Sequence, residues 1–183
     1  MRFNRSVPAL MLLVLVAVLA SGCAGSAGSA KPLLAASKPE ILTQYTKVAF
    51  ATSAMDDASK MTASDRERIV ALVARKVKEL APNRFADFGT TAMDAQTLHV
   101  TIAFTRYDKG SAFARAMLAG LGQIHIDAEI TLEDRTLQKV LGKSEITKTF
   151  AWGGIYGGTT EIKDVEEGFA EAVASVLLGQ SSQ

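Results

Sequence analysis

Cysteine is nearly absent from this 183-residue chain, which contains one, together with one Trp, two His and four Pro. A single thiol cannot close an internal disulfide and falls short of the several thiolates that a zinc module needs, so both staples of small scaffolds are missing. The fold must rest on a hydrophobic core. Charge excess is missing too: 20 Lys and Arg stand against 19 Asp and Glu, a formal net charge of +1. That balance leaves no electrostatic footprint for nucleic acid. Catalytic signatures are also lacking, with no Gly-x-Ser-x-Gly and no His-Glu-x-x-His in the chain. The expectation is a protein without enzymatic activity and without a cofactor.

What is present first is an address. Arg2 and Arg5 precede an apolar run from Ala9 to Ala20, and the small residues Ser21 and Gly22 follow. About a dozen residues is short of the ~20 that a spanning helix requires, and the flanks fit a secretory signal. Leu19-Ala20-Ser21-Gly22-Cys23 resembles the bacterial lipobox, although Ala20 stands at minus three where that motif prefers Leu. The resemblance implies that residues 1–22 are a lipoprotein signal peptide and that Cys23 carries the acyl chains. Two or three such chains hold a protein at a membrane. Ala24 rather than Asp after the Cys implies, by the same likeness, the periplasmic face of the outer membrane. Residues 24–30 are only Gly, Ser and Ala, and Pro32 and Pro39 follow, so residues 23–40 read as the acylated Cys and a flexible tether. Residues 41–183 then form one domain.

Within that domain the hydrophobic period changes repeatedly. Thr46 to Ala51 alternates around Val48 and Phe50 as a strand does. Ser64 and Glu67 read as a capping box, Ile69, Val73, Val77 and Leu80 recur at helical spacing, and Pro82 stops the helix. Arg66, Arg68, Arg75, Lys76 and Lys78 occupy its other faces, which read as solvated. Leu98 to Thr105 and Ile124 to Glu133 alternate over longer stretches, Glu133 to Thr136 makes a polar turn, and Leu137 to Phe150 returns as an antiparallel partner. A last helix over Asp164 to Leu178 carries Val165, Phe169, Val173, Val176 and Leu177 on one side. The expected class is α+β: a four-stranded, mainly antiparallel sheet with two helices packed on one face.

Between strands two and three lies a short segment, helix or loop, in which Arg115 is the only charge from Ser111 to Gly122. Phe113, Met117, Leu118 and Leu121 would cover one side of a helix there, and Ala112, Ala116, Ala119 and Gly120 another. A helix apolar nearly all round is buried or touches something other than water. Gly110, Arg115, Gly120 and Gly122, followed by the alternating strand Gln123 to Leu132 and the turn residue Asp134, resemble the bacterial lipoprotein family called domain of unknown function 4410 over about Tyr45 to Leu178. In that family the turn usually reads Asp, two residues, then Thr-Gly, whereas Asp134-Arg135-Thr136-Leu137 lacks the Gly and is shorter. The resemblance implies an envelope lipoprotein with no assigned catalysis. The order of strands and helices is also similar to that of envelope lipoproteins of the curli-secretion-pore type, which oligomerise.

Several constellations are candidate sites. His99, His125, Asp127 and Glu129 include a polar row that could hold a metal, although any solvated sheet face shows such a row. Gly153-Gly154-Ile155-Tyr156-Gly157-Gly158 has the Gly spacing of a P-loop, but Thr159 stands where the Lys should be. Trp152 and Tyr156 beside these glycines, with Arg115, Gly120 and Gly122, are the candidates for contact with a protein partner or a second copy. Arg115 has an internal alternative, satisfying backbone carbonyls among apolar neighbours. The expected function is a lipid-anchored interaction or assembly module of the cell envelope, with a secretion-assembly subunit or a ligand-binding protein using the His and acid face as alternatives.

Overall fold

The computed structural model describes residues 27–34, 39–89, 91–118, 121–150 and 159–180. Its elements run β1 (Ala27–Leu34), α1 (Pro39–Leu42), β2 (Lys47–Ala54), α2 (Ala63–Leu80), β3 (Asp87–Phe88), β4 (Thr97–Asp108), α3 (Ala112–Met117), β5 (Ile124–Asp134), β6 (Lys139–Phe150) and α4 (Ile162–Leu177). Period-two alternation places Ile124, Ile126, Ala128, Ile130 and Leu132 of β5 on one buried face, joined there by Val100, Ile102 and Phe104 of β4. Helices α2 and α4 cover that face. Ile69, Val73 and Val77 of α2 and Val165, Phe169, Val173 and Leu177 of α4 are all fully buried, and the Phe104 and Phe169 rings lie 5.7 Å apart. The α+β class and the two covering helices are as the periodicity predicts.

The sheet differs from the four-stranded expectation: it has six strands in the order β1-β6-β5-β4-β2-β3, and it is mixed. The meander of β4, β5 and β6 is antiparallel as expected. Strand β2, however, runs parallel to β4 from Lys47 opposite Thr97 to Ala54 opposite Phe104. Parallel neighbours need a crossover of a dozen or more residues, and the 18-residue α2 supplies it. Strand β3 adds two residues to the far side of β2.

Strand β1 comes from the segment expected to be a tether. It pairs antiparallel with β6 from Ala27 opposite Thr149 to Leu34 opposite Lys143. Its residues are exposed apart from Ala30, so backbone pairing rather than apolar burial holds it. Gly28 belongs there sterically, because a Cβ at that position would fall 2.1 Å from the Thr147 carbonyl oxygen.

Helix α2 opens two residues earlier than its expected cap. Thr62 is the N-cap: its hydroxyl accepts from the Asp65 amide at 3.1 Å, and the Asp65 carboxylate accepts from the Thr62 amide at 3.0 Å. Thr-Ala-Ser-Asp satisfies the same reciprocal rule as the box read from Ser64, and Asp65 gains further donors by it. Among the described residues no helix is long and apolar enough to cross a membrane.

Candidate functional site

Helix α3 is a single well-tied knot at one end of the sheet. Asp108 ends β4 and its carboxylate accepts from the Gly110 amide at 2.8 Å, turning the chain. The Ser111 amide then donates to the Gly122 carbonyl at 3.2 Å, and the Ser111 hydroxyl caps α3 by accepting from Ala114 at 3.3 Å. Gly110 and Gly122 sit at φ +61° and +71°, where L side chains are strained. Arg115 is 3% exposed. Its guanidinium donates to the carbonyls of Gly122 at 2.7 Å, Lys109 at 3.4 Å and Thr160 at 2.8 Å. The last of these ties the knot to the approach of α4. Arg115 therefore has the internal role, buried and bonded to backbone carbonyls, while Gly122 supplies one of those carbonyls and is itself half-buried.

The apolar residues of the same segment do the opposite. Phe113 is 71% exposed, Met117 69%, Leu118 51% and Leu121 58%. Six helical residues cannot fold back over a sheet that α2 and α4 already cover. Four large apolar side chains within nine residues of sequence are thus left in water.

The His and acid row does not assemble. Antiparallel register sets His99 opposite Glu133 and His125 opposite Asp108, which puts the two imidazoles about eight residues apart along β5, roughly 26 Å. Among the described residues no three metal-ligating side chains cluster. His125 Nδ1 instead shares a hydrogen bond with the Thr149 hydroxyl at 3.1 Å. Burial lowers both imidazole pKa values, aided by Arg135 at His99 and Arg106 at His125, while nearby carboxylates oppose. The unfolded chain therefore takes up protons first as pH falls below about 6.5, and stability is lost as pH drops from there through the folded-state values. Urea midpoints should fall between pH 7.5 and 5, and His99→Gln with His125→Gln should flatten that part of the profile.

Two buried polar clusters escaped the sequence. Glu166, fully buried in α4, accepts from Arg68 Nε at 2.8 Å and Nη2 at 2.7 Å, and from the Tyr107 hydroxyl at 2.8 Å. Arg68 also donates to Asp65 at 2.6 Å. Burial, with the Glu166 carboxylate next, raises the Tyr107 pKa well above the ordinary phenol value. The readable signal was Glu166 itself, an acid inside the apolar stripe of Val165, Phe169 and Val173. At the other end of the sheet the Tyr45 hydroxyl donates to Asp134 at 2.8 Å, and burial together with that carboxylate pushes Tyr45 up to about 12. Asp134 also accepts from the Leu137 amide at 2.9 Å, and Gln138 takes φ +51°. Gln138 thus takes the left-handed backbone conformation that usually favours Gly.

Cys23, the signal peptide, Gly120, Trp152 and Tyr156 lie outside the described residues. No curated protein matches this chain. Among solved structures, PelC from Paraburkholderia phytofirmans, a dodecamer in two crystal forms, is similar with 15% identity in both. One form has a TM-score of 0.53, covering 83% of this chain and 98% of that one. The other has a TM-score of 0.52, covering 86% and 100%. A Xanthomonas campestris protein of family DUF330 is similar at 13% identity with a TM-score of 0.48, covering 81% of this chain and 91% of that one. At such identity the likeness to PelC is one of fold. The sequence profile of the domain of unknown function 4410 matches residues 33–154, and the chain belongs to that family.

Proposed function

We propose that the protein is a lipid-anchored, non-catalytic module of the bacterial envelope that assembles with copies of itself at the periplasmic face of the outer membrane. The observation that carries this reading is a sheet with an open strand edge on each side. Among the described residues β1 pairs only with β6, and β2 beyond Val48 pairs only with β4. An unpaired edge is a template for a further strand. The β2 edge borders an apolar cleft between Phe50, Val70 and Phe88, while β1 presents Leu33 and Leu34 about half exposed.

Because the two edges are different surfaces, joining one to the other is a head-to-tail contact, which closes into a ring when the rotation allows. PelC, which shares the fold, forms dodecamers. In the full chain purified in detergent, sedimentation should show one discrete oligomer. A thiol cross-linker should join Lys31→Cys of one copy to Ser53→Cys of the next and give a ladder. A monomer at micromolar concentration, with no ladder, would overturn the reading.

A further inference from the structure

We infer that the α3 end of the domain is seated in the lipid surface, so that Phe113, Met117, Leu118 and Leu121 form a second membrane contact beside the acyl chains. The inference rests on the anchoring of Cys23 proposed above, and the register of β1 extends it. Only residues 24–26 separate Cys23 from the first strand residue, Ala27. Four extended steps reach at most about 14 Å. The Ala27 end of the sheet therefore stays within that reach of the anchor.

Pairing identifies that end. Ala27 is opposite Thr149, Thr149 is opposite His125, and His125 is opposite Asp108. The start of β1, the end of β6, the start of β5 and the end of β4 thus share one rim, and α3 bridges the last two. The four exposed apolar side chains of this segment sit on the rim within reach of the anchor. Leu137, 68% exposed, lies in the turn at the opposite end, roughly 33 Å away along the eleven residues of β5.

The chemistry of the rim fits a lipid interface. A six-residue helix is about 9 Å long, far too short to cross, and an apolar face with a cation beside it suits the boundary between headgroups and acyl chains. Lys109, with its side chain 58% exposed, and Arg106, 43% exposed, flank the apolar patch, although Asp108 is there as well. The buried Arg115 guanidinium ties the backbone of this segment to the Lys109, Gly122 and Thr160 carbonyls.

The test uses the full acylated chain in vesicles of phosphatidylethanolamine and phosphatidylglycerol. With Cys23 acylated, an introduced Cys is the free thiol, so an environment-sensitive fluorophore is placed at Phe113→Cys, Met117→Cys or, as control, Leu137→Cys. Brominated acyl chains should quench the first two several-fold more than the third. Equal, weak quenching at all three sites would overturn the inference. So would protection of the 117 probe in detergent that grows with protein concentration, because a second copy would then cover the patch. The mass of the same preparation reads the anchor separately. If Cys23 proves unmodified, the label is repeated on a Cys23→Ser background, where a quenched 117 probe removes the leash and keeps the seat; an acylated Cys23 with a wet 117 probe does the reverse.

Discussion

Replacing Arg68 by Met should destabilise the domain by about 3–5 kcal/mol, the range expected when a buried ion pair loses one member. The cost falls unevenly on the two partners. Arg68 keeps 34% of its side chain in solvent, while Glu166 is 0% exposed. Without Arg68 the fully buried carboxyl keeps the Tyr107 hydroxyl, at 2.8 Å, but loses its cation. Without Glu166, by contrast, Arg68 still has Asp65 at 2.6 Å and water. Glu166→Ala should therefore cost less than Arg68→Met, even though it opens a cavity. The triple change Arg68→Met, Tyr107→Phe, Glu166→Leu removes the Glu166 carboxylate together with both of its donors, leaving Asp65 to its Thr62 cap, and should recover to within about 1–2 kcal/mol of the parent. Urea unfolding measures all four proteins. A triple variant no better than Arg68→Met alone would sink this account.

Gly110→Ala should cost about 2–5 kcal/mol, combining roughly 1–2 for a left-handed backbone with roughly 1–3 for overpacking. The new Cβ would lie 2.3 Å from the Gly122 carbonyl oxygen, 2.5 Å from that of Gln123 and 2.7 Å from Arg115 Nη1. Two of those atoms are backbone and the third is held by its own hydrogen bonds. Gly122→Ala meets the Ser111 carbonyl at 2.5 Å and should behave alike. Gly89 is the control: its φ is +79°, but a Cβ there meets nothing within 4 Å, so only the backbone term of about 1–2 kcal/mol applies. Arg115→Ala leaves several carbonyls without their donor, at about 1–3 kcal/mol for each that stays buried. Trypsin gives a local readout, since Arg115 is shielded in the parent and should be cut rapidly in Gly110→Ala. Equal stability and equal cleavage in the Gly110 and Gly89 variants would refute the knot.

The same physics decides how much of the fold the sequence displays. Strands β4, β5 and β6 and helices α2 and α4 bury one face against a core, so their side chains carry the period, and Leu98 to Phe150 and Val165 to Leu177 were legible. Strand β1 buries almost nothing, and Gly28, Ser29 and Ala30 carry no period, because its partners are main-chain groups of β6. Pairing direction at β2 was hidden for another reason: alternation around Val48 and Phe50 is the same in either orientation, and only the length of the crossover discriminates. Arg115 and the glycines at 110 and 122 were visible as oddities, but which atoms the guanidinium meets depends on a loop closing on itself. His99 and His125 looked like a pair until the register separated them.

Placing β1 against β6 has a temporal side. The first strand of the sheet in the chain pairs with the last, so β1 has no partner until residues 139–150 are in place. Closing so long a loop carries an entropic cost of about 4 kcal/mol, which favours docking of β1 after the meander has formed. Until then an acylated Cys23 would be joined to the folded part by a lengthy slack chain; afterwards by three residues. Completing the sheet would thus also reel the domain in toward its anchor.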